Sequence, residues 1–213
     1  MDVTTLAVAL IGVGGTMGGT LGGAVLSQRA RRVELAEQTQ RTQLEREQQR
    51  DERALQSKRD QYAQLNATAR AYRVAAGDAV RATERGENLD ARLLDSAREA
   101  WAELYAQAQM MLTKELLDIT SELNQSLGLG YAVVKQLPNS TDQTAACRHA
   151  KAWFTGPLSD GVYLLRVALR HDLGVEVDAD FEQTSRRIRD ALSRAHADLA
   201  RQLDAERRQI TTP

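Results

Sequence analysis

Cysteine occurs once, at Cys147, so no intrachain disulfide can form and a disulfide scaffold is excluded. Proline occurs three times and aromatic residues make up only 4% of the chain. Glycine, frequent in the first quarter, later falls at a few punctuation points. So few turn residues and so few strand formers leave an all-helical profile. No one sign of charge prevails either, since 28 basic residues nearly cancel 29 acidic ones. There is then no global basic field to draw nucleic acid, and that partner class is disfavoured. A chain of 213 residues suffices for one packed domain with an appendage.

Charge is also missing locally, and this carries the most information. From Val3 to Leu26 there are 24 residues without a charged side chain. As a helix they extend roughly 36 Å, enough to cover a hydrocarbon core of about 30 Å. Seven of the 24 are glycine, which raises the competing reading of a phosphate-binding loop. That reading fails on spacing: after Gly12 and Gly14 a G-x-G-x-x-G motif requires glycine where Met17 stands, and a P-loop requires G-K-[ST], yet no lysine precedes Lys58. In lipid an unpaired backbone amide costs more than glycine's poor helix propensity, so a helix is expected. Gly14, Gly18 and Gly22 then form one small-xxx-small row and Gly15, Gly19 and Gly23 a second beside it, a surface suited to close helix packing and self-association. Arg29, Arg31 and Arg32 follow directly. The positive-inside rule places the residues behind them in the cytoplasm and the N-terminus outside, a single-pass topology in the plasma membrane.

Residues 28 to 54 are rich in Gln, Glu and Arg and contain neither Gly nor Pro. Glu37 with Arg41 and Glu47 with Arg50 are favourable helix pairs. Val33, Leu44 and Leu55 recur every eleven residues, too thin a stripe for a core but compatible with a solvated helical stalk or a weak coiled coil. From residue 55 the apolar density rises. Leu55, Tyr62, Leu65, Ala69, Tyr72, Ala76 and Val80 keep a helical stripe until Gly86 and Asn88 interrupt it. With Asn88 or Asp90 as cap, a second stripe through Leu93, Ala97, Trp101, Leu104, Ala108, Leu112, Leu116, Ile119, Leu123 and Leu127 predicts one helix of about forty residues ending at Gly128. Residues 129–140 are ambiguous, with composition favouring a helical turn. Ser140 or Thr141 is expected to cap a short helix carrying Cys147, Trp153 and Phe154, which Gly156 and Pro157 end. Ser159 is expected to cap a compact apolar helix finished by Gly174, and Asp180 with Gln183 to open the last one, striped by Phe181, Ser185, Ile188, Leu192, Ala195, Leu199, Leu203 and Ile210. The expected fold is all-α: a transmembrane helix (1–27), a charged helical stalk (28–54) and an antiparallel helical bundle with coiled-coil character (55–213).

The runs KRDQYAQLNATARAYRVA (58 to 75), EAWAELYAQAQM (99 to 110) and LRHDLGV (169 to 175) stand behind a glycine-rich first span. In this they resemble a widespread group of uncharacterised single-span actinobacterial membrane proteins with a cytoplasmic helical domain, over nearly the whole chain. Membrane-associated KilB proteins of actinobacterial plasmids are similar in layout only. The resemblance implies architecture; these runs are packing and capping features that carry no chemistry.

Catalytic and metal signals are thin. Cys147 and His149 stand about 200° apart on a helix, poor geometry for one ion, and neither C-x-x-C nor H-E-x-x-H occurs. A buried Cys147 beside an exposed His149 is the expectation, with His171 stabilising a helix end. No G-x-S-x-G elbow is present. Trp101, Tyr105, Trp153, Phe154 and Tyr163 read as core. The expectation is therefore no enzyme and no cofactor: a membrane-anchored adaptor or scaffold whose bundle meets a cytoplasmic protein partner. The alternative is a membrane-active oligomer, a pore or plasmid-transfer accessory built on the glycine-rich span.

Overall fold

The computed structural model describes residues 3–87, 91–175 and 180–211, with side chains from residue 38 onward except 206, 207 and 209–211. Among the described residues every regular element is helical: α1 (Val3–Glu84), α2 (Ala91–Ala108), α3 (Lys114–Gln136), a 3-10 turn (Leu137–Asn139), α4 (Gln143–Thr155), α5 (Pro157–Asp172) and α6 (Phe181–Thr211). The chain divides into two compact units, 1–57 and 58–213. In the first unit every described element is α1. Among the described residues no helix is long and apolar enough to cross a membrane. The expected span, with Gly14, Gly15, Gly18, Gly19, Gly22 and Gly23, and the flanking Arg29, Arg31 and Arg32 lie outside the residues whose side chains are described.

The second unit is a helical bundle. Its share of α1 buries Tyr62, Leu65, Ala69, Tyr72, Ala76 and Val80, the expected stripe, while Leu55 is left exposed. Gly86, in the left-handed region at φ 73°, ends the helix, with Glu87 N–H donating to Ala82 O at 3.0 Å. The expected caps Asn88 and Asp90 lie outside the described residues.

The forty-residue second helix is not formed. α2 stops at Ala108, Met111 and Leu112 turn their N–H groups back to Ala108 O at 2.9 Å, and Thr113 is extended (φ −60°, ψ 159°) before α3 begins. Trp101 Nε1 donates to Asn124 Oδ1 (2.9 Å) and Tyr131 Oη to Asp95 Oδ1 (2.8 Å), so α2 lies antiparallel on α3. The reason is burial. A straight rod leaves much of its stripe in water, whereas folded back both halves face one core, at about 25 cal/mol per Å² of apolar surface removed. Gly128 does not end α3, which runs on through the ambiguous stretch to Gln136. Gly130 explains the continuation: a Cβ there would sit 3.0 Å from two Phe154 ring carbons and 3.1 Å from Trp153 Nε1, so its bare backbone lets α4 close on α3.

Two caps also differ from expectation. Asp142, not Ser140 or Thr141, caps α4, its Oδ1 accepting from Ala145 N at 2.9 Å. α5 starts two residues before Ser159, because Pro157 fits the first helical position, where no N–H is needed. Gly174 (φ 67°) ends α5 as expected. α6 buries Phe181, Ser185, Ile188, Leu192, Leu199 and Leu203 against α3 and α5; Ile210 lies outside the described side chains.

Polar contacts set the register. Arg189 on α6 grips Glu122 on α3 through Nε (2.9 and 3.0 Å) and Nη2, and this hydrogen bonding raises the guanidinium pKa. Lys58 Nζ (2.6 Å) and Tyr62 Oη (2.7 Å) both meet Asp172 Oδ2, joining α1 to the end of α5. Burial pushes the Asp172 carboxyl up, but the hydrogen bonds from Lys58 and Tyr62 outweigh it and hold it below its ordinary range. Burial and the bond to Asp172 push Tyr62 far above the ordinary phenol.

Two predictions follow from this packing. Gly130→Ala forces enclosed rings aside and should lose about 1–2 kcal/mol net of its propensity gain. Gly128→Ala, with nothing within 4 Å of the new Cβ, should gain about 0.5–1 kcal/mol; urea denaturation reads both, and equal signs would contradict the packing. Because the folded Asp172 pKa is depressed, its contribution is complete above the unfolded value of about 3.9 and is lost as pH falls through the folded value. Asp172→Asn should thus lower stability at pH 7 and flatten the acid limb of a stability–pH profile; an unchanged limb would count against the pairing.

Candidate functional site

A concavity of about 620 Å³ lies between α1 and α2. Small side chains make it: Ala71, Ala75, Ala79 and Ala82 from α1 and Ala97 and Ala100 from α2, with Val74 and Leu93 completing the apolar lining. Closer to the Gln109–Thr113 reversal, Tyr62 and Leu65 of α1 meet Leu104 of α2 and Leu112 of the reversal itself, and the space shrinks to about 10 Å³. Side-chain size therefore opens the groove at one end and closes it at the other. α2 is anchored from behind, because Asp95 takes Tyr131 Oη and also Lys135 Nζ at 3.0 Å, both from α3. The hydrogen bonds from Lys135 and Tyr131 lower the Asp95 pKa and that to Asp95 raises Lys135.

The mouth carries charge, but the charges are satisfied within their own segments. Asp78 pairs with Arg81, and Arg85 grips Glu87 through Nε (2.6 Å) and Nη2 (2.8 Å). That hydrogen bonding raises Arg85 and lowers Glu87. What remains for an occupant is an apolar floor. Val74 is 44% exposed and Leu93 73% exposed, whereas its neighbour Leu94 is 1% exposed. The expected stripe began at Leu93; the structure turns Leu94 inward, because consecutive residues stand about 100° apart on a helix and only one of the pair can face the core. The signal available in the sequence was the alanine content of residues 67–82 on faces beside the core stripe.

Cys147 is buried and its thiol pKa is raised, first by that burial and then by the charge of Glu84, while His149 is exposed, as expected. His171 stacks on Phe181 (4.6 Å between centroids, 9°) in the last turn of α5, and His196 meets the edge of Trp153 (6.3 Å). His171 and His196 thus make separate ring contacts, and among the described residues no three metal-ligating side chains converge. Trp101, Trp153 and Phe154 are core and Tyr105 stacks on Trp101 at 5.9 Å. Tyr163, expected in the core, is instead 47% exposed on α5, with the Arg166 guanidinium over its ring at 5.1 Å.

No family model, curated protein or solved structure matches this chain.

The two adjacent leucines separate the groove from the core. Leu93→Ser should change stability by no more than about 0.5 kcal/mol, whereas Leu94→Ala should cost about 2–5 kcal/mol. Equal losses in denaturant titrations would remove Leu93 from the open groove.

Proposed function

We propose that this chain is a membrane-anchored adaptor: a transmembrane helix over 1–27, a helical stalk over 28–54 and a cytoplasmic bundle over 55–213 that offers its α1/α2 groove to a protein partner. The groove is the observation that carries the reading. It is wide enough for side chains, floored by alanines and bordered by Val74 and Leu93, and its charged rim is already paired. An amphipathic helix of a cytoplasmic protein suits such a slot. Large apolar anchors at i, i+3/i+4 and i+7 would enter between α1 and α2, each stabilising the complex by about 1.5–3 kcal/mol on full burial. The tether rests on the uncharged stretch 3–26 and on Arg29, Arg31 and Arg32 behind it, which support a plasma-membrane location with the N-terminus outside.

The doubled glycine rows favour a second reading, in which the spans assemble into a membrane-active oligomer. Close backbone packing through Gly18 and Gly19 would be its core, and a bulky residue at either would block it.

Cell fractionation should place the chain in the membrane fraction, and crosslinking in intact cells should attach a cytoplasmic protein that Val74→Asp with Leu93→Asp releases while the melting temperature holds. Recovery of the intact chain in the soluble fraction would overturn the tether. Retention of the same crosslinked protein by the double variant would overturn the groove as its seat. Gly18→Leu and Gly19→Leu should reduce oligomer size under the second reading and leave crosslinking to the partner unchanged under the first.

A further inference from the structure

On another side of α1 lies a pocket of opposite chemistry. Arg70 and Arg73 of α1 face Ser159, Tyr163 and Arg166 of α5 across a space of about 210 Å³, the room of about seven waters. Acid is scarce in both facing segments: no Asp or Glu occurs from 61 to 77, and from 157 to 171 the sole acid is Asp160. Among the described residues neither Arg70 nor Arg166 takes part in an ion pair, although most other cross-helix contacts of this bundle that involve a cation are built on a carboxylate.

Arg73 is held more firmly. Its Nη1 donates to Phe154 O at 3.2 Å, fixing the guanidinium against the last turn of α4, while its Nε is shut off from solvent without a hydrogen-bond partner. A buried donor left unpaired costs about 1–3 kcal/mol in general, so Arg73 contributes to the pocket its positive charge, held in place by Phe154 O. Ser159 adds a hydroxyl from the first turn of α5, the end where a helix dipole favours negative charge. Tyr163, although exposed, is occupied: its ring carries the Arg166 guanidinium, which restricts where that cation can reach. The nearest acid in sequence, Asp160, lies one residue beyond Ser159, is exposed and does not line the pocket.

We propose that this pocket binds a phosphate-bearing anion. Planar guanidinium forks converging with a hydroxyl match a group that offers several acceptor oxygens and two negative charges, and a single carboxylate would leave part of the donor set unused. The phosphate could belong to a free small molecule or to a lipid headgroup; the chemistry is shared, and the site stands independently of the adaptor reading.

The test uses the full chain in nonionic detergent, titrated calorimetrically with inorganic pyrophosphate and, separately, with dioctanoyl phosphatidic acid. Saturable one-to-one binding of at least one probe is expected, weakened about tenfold by Arg70→Gln and by Arg166→Gln with unchanged melting temperature. Arg98→Gln, whose guanidinium lies over Tyr131 on a different pair of helices, should bind as the parent does. Binding of pyrophosphate identifies a free-phosphate source, and binding of the lipid alone identifies a headgroup site. Absence of saturable heat with both probes, unchanged affinity in Arg70→Gln and Arg166→Gln, or an equal loss in Arg98→Gln would each overturn the proposal.

Discussion

The reversal of the chain across residues 109–113 constrains the whole bundle. With Met111 and Leu112 bonded back to Ala108 and Thr113 extended, α2 returns along α3, and the apolar stripes of both helices turn to one interior. α1 must then find cover elsewhere, and it does so by long polar reaches: Tyr72 Oη donates to Leu127 O of α3 (3.3 Å) and Tyr62 Oη to Asp172 of α5. These bonds of α1, like those of Trp101 and Asp95 on α2, run to other helices. Where large residues face each other the space between them closes; where alanines do, it stays open.

Three of the ion pairs that join helices share one design. Asp172, Asp95 and Glu122 each sit on one helix and receive donors from another, and each is partly shielded from water. Partly exposed ion pairs contribute little net stability, since screening and side-chain ordering offset most of the Coulomb gain. Their value lies in register. A slide of one turn would part each carboxylate from its donors, so the pairs favour a single register.

The stripes of α1 and α6 were legible because a 3.6-residue period survives any arrangement that buries one face: Tyr62 through Val80 and Phe181 through Leu203 are buried where the pattern put them. Gly86 and Gly174 were legible as stops because the left-handed turn after a helix favours glycine. The reversal was hidden, since Ala108, Leu112 and Leu116 keep their spacing straight through it and no Gly or Pro marks the site. In retrospect only Thr113 followed by Glu115 hints at a helix start. Gly128 misled for the converse reason, because glycine serves both as terminator and, as Gly130 does in the same helix, as the place where a neighbour approaches, and only the position of Phe154 reveals the second use. Neither the groove nor the arginine pocket could be read from one helix alone, because each exists only where two helices separated in sequence are brought side by side.

Helix α1 carries both sites on one cylinder. With about 100° between successive residues, Asn66, Arg70 and Arg73 stand roughly 80° to one side of the core stripe and Ala71 and Ala75 lie far from the arginines, while Val74 stands only about 40° from Arg70, on the border between the two faces. One sequence window therefore supplies a core face, a cationic face and an apolar face, which explains why residues 66 to 82 show no simple amphipathic division into apolar and polar halves. Their different chemistry follows from the facing helix: α5 offers Ser159 and Arg166, α2 offers Ala97 and Leu93. Away from the neighbouring Arg70 and Val74 the two faces share only the backbone of α1, a helix that Tyr62, Tyr72 and Arg73 bind to three different elements. Substitutions remote from the Arg70/Val74 border, such as Leu93 on α2 with Arg166 on α5, share no lining and should act additively, whereas Arg70 and Val74 are close enough to couple.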